Sequence, residues 1–128
     1  MASLTPEILN IIHALQVFPV ATATSEGVPN VIYVAFLRVV DDETIEIADN
    51  RFHKTRQNLE ANPILSILLW SPECTGAYQV KGGVTLHTEG PIYEDCVAWV
   101  HAHSDKLTPK AAVRIHIQEI YEGATRLA

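Results

Sequence analysis

Apolar positions near the start of the chain recur at helical spacing, then give way to alternation. Ile8, Ile11, Ile12 and Leu15 form one apolar helical face. Thr5-Pro6-Glu7 is a helix start, with a capping hydroxyl, proline at the first position and an acid in the first turn. His13 falls on the opposite side and reads as a surface residue. From Val17 to Thr24 the period is lost, and Val, Ala and Thr dominate. Ser25-Glu26-Gly27 is a turn, Pro29 to Val40 a second β-rich run, and Asp41-Asp42 a second turn. Thr44 to Asp49 alternates, with Ile45 and Ile47 on one face and Glu46 on the other. These segments predict a meander of three antiparallel strands.

Asp49-Asn50-Arg51-Phe52 is a polar bend, and His53 to Ala61 fits a short helix that stops at Asn62-Pro63. Ile64 to Trp70 reads as a buried strand. Ala77 to His87 is a long strand with a bulge or bend expected at Gly82-Gly83. Gly90-Pro91 opens a helix over Ile92 to His103. Ala111 to Tyr121 alternates again and is the last strand. About six strands with few helices predict a mainly β fold, a small closed or partly closed barrel with peripheral helices. Strict βαβ alternation is absent, which argues against a doubly wound parallel sheet. Residues 1–128 read as one domain.

Composition supports a packed core: 48% of residues are hydrophobic and 19% charged, outside the disordered range. A net charge of −6 argues against a nucleic-acid or anionic-membrane partner. No apolar run reaches the length of a membrane span, and no signal peptide precedes the first helix, so a cytoplasmic location is expected. Cys74 and Cys96 lack the spacing of a disulfide framework or a zinc site. His101 and His103, two apart on a helix, point to different faces and suit no shared metal. His87 and His116 are expected at outward strand positions. Trp70 and Trp99, like Tyr33 and Phe36, read first as packing groups.

The exception to the acidic character is local. Arg51, His53, Lys54 and Arg56 fall in one run where a strand ends and a helix begins. A helix N-terminus offers unpaired N–H groups and the positive end of its dipole. Arg51 and Lys54 can add charged bonds and Thr55 a neutral one. The chemistry suits a phosphate; the bland alternative is a solvated basic face.

Ala21-Thr22-Ala23-Thr24, Gly27-Val28-Pro29-Asn30-Val31, Ile47-Ala48-Asp49-Asn50 and Lys54-Thr55-Arg56-Gln57-Asn58-Leu59-Glu60-Ala61-Asn62-Pro63 follow in order. Tyr78-Gln79-Val80-Lys81-Gly82 and Glu119-Ile120-Tyr121 extend the pattern over nearly the whole chain. In this arrangement the sequence resembles the pyridoxamine 5′-phosphate oxidase-like, FMN-binding split-barrel family, and in size its small FMN-binding members. The resemblance implies a split β-barrel homodimer with FMN at the subunit interface. It implies a phosphate held within Arg51-Phe52-His53-Lys54-Thr55, on Lys54 and Thr55. It places the flavin ring along Ala48, Asp49 and Asn50 and along Val31, Ile32 and Tyr33. The small FMN-binding proteins carry Asn-Thr on the second strand where this chain has Val31-Ile32, which leaves the backbone as the contact there. Residues that bind the pyridoxal substrate of the true oxidases are not recognisable, so that activity is not assigned.

No side chain stands out as a general acid or base, and electron or hydride transfer through a flavin needs none. The expected function is therefore that of a flavin-dependent oxidoreductase or electron carrier, with NAD(P)H or a redox protein as partner. The alternatives are a non-catalytic flavin-binding module, the same barrel using F420 or haem, and a structural dimer with an empty site.

Overall fold

The computed structural model describes residues 2–128. Helix α1 (Pro6–Ala14) is followed by strands β1 (Phe18–Ala23), β2 (Pro29–Val34), β3 (Leu37–Asp41) and β4 (Thr44–Asp49). Helix α2 (Lys54–Ala61), β5 (Ile64–Leu69), β6 (Tyr78–His87), helix α3 (Pro91–His103), β7 (Ala111–Glu122) and β8 (Thr125–Arg126) complete the chain. The strands form one antiparallel sheet in the order β2-β1-β5-β6-β7-β4-β3, with β8 beside β7. The sheet curls so that its two edges, β2 and β3, are consecutive in the chain, and the barrel is split between them.

The mainly β split barrel matches the sequence reading, but two of its details do not. The run Pro29–Val40 is two strands: β2 pairs with β1, and β3 pairs with β4 at the far edge. The predicted meander is thus two hairpins on opposite edges. The run crosses the split at Ala35-Phe36, where no glycine, proline or Asx residue signals a break. With the two-residue β8, the sheet has eight strands where about six were expected.

Alternation sorts the strands. Val20, Ile45, Ile47, Leu65, Ile67, Leu69, Val80, Val113, Ile115 and Ile117 fill the inside of the curl, and Ile8 and Ile12 of α1 join them. The Thr5 hydroxyl accepts from Ile8 N–H at 3.3 Å and caps that helix. The β6–β7 register shifts between Lys81 and Gly82. A Cβ on Gly82 would lie 2.5 Å from the His116 carbonyl oxygen, so only glycine lets the strands approach here. Helix α3 lies on the outer face, where Cys96 and Val100 pack on Ala48 and Ala112.

Helix α2 has one large apolar residue, Leu59, and is held otherwise by amides. Asn58 donates to the Thr22 hydroxyl at 3.0 Å and Asn62 to the Ala23 carbonyl at 3.3 Å. These bonds hold the middle and end of α2 against β1, and a bond from Asn30 to the Thr55 hydroxyl sets its start beside β2. Among the described residues no helix is long and apolar enough to cross a membrane.

Candidate functional site

At the split, the end of β4 faces the last residues of β2 across a cleft of about 430 Å³. Its walls are Ile32 to Phe36 on one side, Ala48 and Asn50 to Phe52 on the other, and Leu107. The volume falls in the range of cofactor pockets, roughly 300–1,000 Å³. The lining is mostly apolar, and only Tyr33 and Arg51 carry titratable side chains. β2 is an edge strand, so half its backbone groups have no strand partner on the cleft side.

The rim is built around Asp49, which is fully buried. Its carboxylate accepts from Phe52 N–H at 2.9 Å and from Arg56 Nη1 at 2.9 Å. Lys110 closes the turn from outside: its N–H donates to the Asp49 carbonyl and its Nζ to the Phe52 carbonyl, both at 2.7 Å. Asn50 N–H donates to the Ala48 carbonyl at 3.1 Å, and Ala48 N–H to the Phe36 carbonyl at 3.1 Å. The segment from Ala48 to Phe52 is thus held by hydrogen bonds at Ala48, Asp49, Asn50 and Phe52. One polar atom in it is unsatisfied: the Asn50 Oδ1 is buried without a hydrogen-bond partner.

Past the rim, α2 begins. His53 caps it without a side-chain bond, so the first N–H groups of the helix remain available. Arg51, His53 and Lys54 are exposed and, among the described residues, make no ion pair or side-chain hydrogen bond. Arg56 differs. Besides its bond to Asp49, its Nε lies 3.3 Å from Glu60 Oε2, an ion-pair approach without hydrogen-bond alignment. The Thr55 hydroxyl is buried and accepts from Asn30 Nδ2 at 3.0 Å, which leaves its proton free to donate.

The structure therefore brings Ile32, Tyr33, Ala48, Asn50, Arg51 and Phe52 together in one cleft, with His53, Lys54 and Thr55 at the adjoining helix start. Val31 lies apart, exposed on the outer face of β2, and the Asp49 side chain supports the rim from beneath. Leu107 and Lys110 were not legible in the sequence, because they come from the loop between α3 and β7. Phe36, read as packing, lines the cleft and also meets Trp99 edge-on at 5.6 Å.

A second buried acid, Glu46, faces α3. Arg38 donates to its Oε2 through Nε at 3.0 Å and Nη2 at 2.7 Å, and Arg114 donates to its Oε1 at 2.6 Å. Arg38 also reaches Asp95 at 2.7 Å and stacks over Trp99 at 4.3 Å. Burial opposes the Arg38 charge, but Glu46 and Asp95 outweigh it and hold its pKa above the usual value. Burial, reinforced by Glu46, pushes the Cys96 thiol up to about 12, so it is an inert packing group. His101 and His103 bond to separate partners, Thr108 Oγ1 and the Trp99 carbonyl. Among the described residues no three His, Cys, Asp or Glu side chains are grouped to hold a metal.

Comparison with known proteins places this geometry. The family model described as pyridoxamine 5′-phosphate oxidase matches residues 4–123. An uncharacterized protein of Methanocaldococcus jannaschii is 36% identical over 124 residues, 94% of this chain and 81% of its own. The crystal structure of HupZ from Group A Streptococcus superposes with a TM-score of 0.86 at 29% identity, covering 98% of each chain. An FMN-binding protein from Syntrophomonas wolfei shares the fold at a TM-score of 0.72 and 17% identity, covering 91% of this chain and 86% of its own. At similarly low identity the fold recurs in the Vibrio cholerae haem storage protein HutZ and in an F420 reductase.

Proposed function

Because the chain belongs to the pyridoxamine 5′-phosphate oxidase family, we propose that it is a flavoprotein that binds FMN in the cleft between β2 and β4. One observation carries this reading. A mostly apolar cleft of cofactor size adjoins a helix start without a side-chain cap, where Arg51, His53 and Lys54 have no ion-pair or side-chain partner among the described residues. Lys54, Arg51 and the first N–H groups of α2 would hold the phosphate, with the Thr55 hydroxyl donating. Ile32, Phe36, Ala48, Phe52 and Leu107 would shelter the ring from water. FMN, when bound, supplies one- or two-electron redox chemistry, and the protein supplies orientation and electrostatics.

A flavin suits the lining better than haem does. Haem iron is held by His, Cys, Met or Tyr, and among the described residues Tyr33 is the single one of these in the wall. F420 reductase shares the fold, so a deazaflavin remains the second reading. The absorption spectrum of the purified protein and calorimetry with FMN and riboflavin test the assignment. FMN is expected to bind more tightly and to raise the melting temperature by mass action. Equal affinity for riboflavin would sink the phosphate site. Reduction of the bound flavin by NAD(P)H separates an oxidoreductase from an electron carrier or a storage module.

The outer sheet face supports a symmetric pair. Val31, Ile64, Leu68 and Trp70 are exposed there, and Tyr33, 75% exposed, stands where this face meets the cleft. An apolar face of this kind marks an interaction surface. Two copies are expected to bury more than roughly 1,000 Å² in total. Sedimentation should show a dimer, and Leu68→Glu a monomer; a wild-type monomer at micromolar concentration contradicts the pairing.

A further inference from the structure

We propose that Asn50 reads the imide edge of the bound ring, its –CO–NH–CO– side, and so selects ligands that bring an N–H donor to that wall. This rests on the flavin reading and names what in the ring is recognised. The starting observation is the Asn50 Oδ1, buried and without a partner, on a residue that lines the cleft. Its backbone cannot shift to relieve it. Asn50 N–H is tied to the Ala48 carbonyl, the preceding Asp49 carbonyl to Lys110 N–H, and the Phe52 carbonyl two residues on to Lys110 Nζ. The terminal torsion of an asparagine is soft, so the amide can turn its oxygen toward the cleft while the chain stays in place.

What meets it there decides specificity. Of the neighbouring walls, Ile32, Val34, Ala35, Phe36, Ala48 and Phe52 carry no donor side chain, and the exposed Tyr33 and Arg51 make no bond to it. A bound ring displaces water from the cleft, and an amide oxygen turned toward the ring can then take its hydrogen bond from a donor that the ligand brings. The amide carries an acceptor and two donors. An imide offers a donor flanked by two acceptors, so the two groups can pair through both ends. A porphyrin edge brings no N–H, because its nitrogens face the iron. Such a ligand would seal an unpaired acceptor, and burying an unsatisfied polar group is costly.

The experiment uses two probes, FMN and 3-methyl-FMN, in which a methyl replaces the imide hydrogen. Flavin fluorescence is titrated with wild type, Asn50→Leu and Asn50→Ala, and thermal melts verify that each variant is folded. Wild type is expected to prefer FMN by about 10- to 100-fold, the range for one hydrogen bond lost at a dried site. In both variants the preference should fall to less than about threefold, since no acceptor remains to tell the probes apart. The wild-type measurement stands even if a variant fails to fold. Equal affinity of wild type for the two probes overturns the inference and leaves the flavin reading intact. A preference kept undiminished in a folded variant also overturns it, because another group then reads the edge. If FMN itself does not bind, the flavin reading falls and the inference with it.

Discussion

Glu46 and Asp49 stand three residues apart on one strand, both fully buried and both paired with arginine. Glu46 joins Arg38 on β3 to Arg114 on β7 and, through Arg38 and Asp95, fastens α3 to the sheet. Its work is finished inside the framework. Asp49 sits where the strand ends, and its bonds shape the turn that carries Asn50, Arg51 and Phe52 into the cleft. The same buried carboxylate chemistry thus supports the scaffold at one position and a binding surface at the other. The difference lies in whether the partners belong to the sheet or to the loop beyond it.

Replacing each acid by its amide separates the two roles most sharply. Glu46→Gln and Asp49→Asn are each expected to cost about 3 kcal/mol in denaturant unfolding, since each takes the buried carboxylate from arginines that are mostly withdrawn from water. FMN affinity should then part them. Glu46→Gln should bind within about twofold of wild type, while Asp49→Asn should lose about tenfold or more as the rim loosens, because misplaced groups weaken binding. Equal losses in both would erase the distinction.

A smaller effect is expected at the helix start. Lys54→Ala should weaken FMN binding by about 10- to 150-fold, the value of a charged hydrogen bond of roughly 1.5–3 kcal/mol. Stability and riboflavin binding should hardly move. Arg56→Ala supplies the contrast. Because Arg56 holds Asp49, its loss should lower stability and weaken FMN and riboflavin alike. If Lys54→Ala behaves in that way, or binds FMN as wild type does, the phosphate lies elsewhere.

Lys110→Met tests the outer brace of the same rim. It removes the bond to the Phe52 carbonyl from a half-exposed side chain, so about 1 kcal/mol of stability is expected to go. FMN affinity should fall a few-fold, measured by the same titration.

The smallest effect concerns the scaffold and alkaline pH. The Cys96 thiol is raised from 9.0 to about 12 when folded. The folded state therefore binds more protons than the unfolded one between those values, and stability falls as pH rises through that window. Melting temperatures should decline between about pH 9 and 11, and Cys96→Ala should flatten the decline. An identical slope would assign the loss to other groups, among them Tyr78, whose phenol is also raised to about 12 by its bond to Glu7.

Much of this was legible from local pattern. Thr5-Pro6 and Asn62-Pro63 bracket helices because capping and proline geometry act within a few residues. The alternation of Thr44–Asp49 and Ala111–Glu122 identifies strands because inner and outer faces differ in polarity. Gly82 marks the bulge because no side chain fits against the His116 carbonyl. The basic run identified the rim and the helix start, since positions close in sequence remain close in space.

The sequence by itself determined the helix ends, the inward faces of most strands and the basic segment beside the cleft, all of which depend on neighbours a few residues away. Tertiary structure decided the rest. The break at Ala35-Phe36 arises because β2 and β3 pair with opposite edges of the curled sheet, and no local residue records that choice. Alternation puts Glu46 on the face opposite Ile45 and Ile47, and it does lie on the outer face, but α3 and two arginines from other strands bury it. Lys110 and Leu107 reach the cleft across more than fifty residues of chain from Phe52. Such contacts depend on how distant segments pair and pack, and periodicity in a single segment carries no record of its partners.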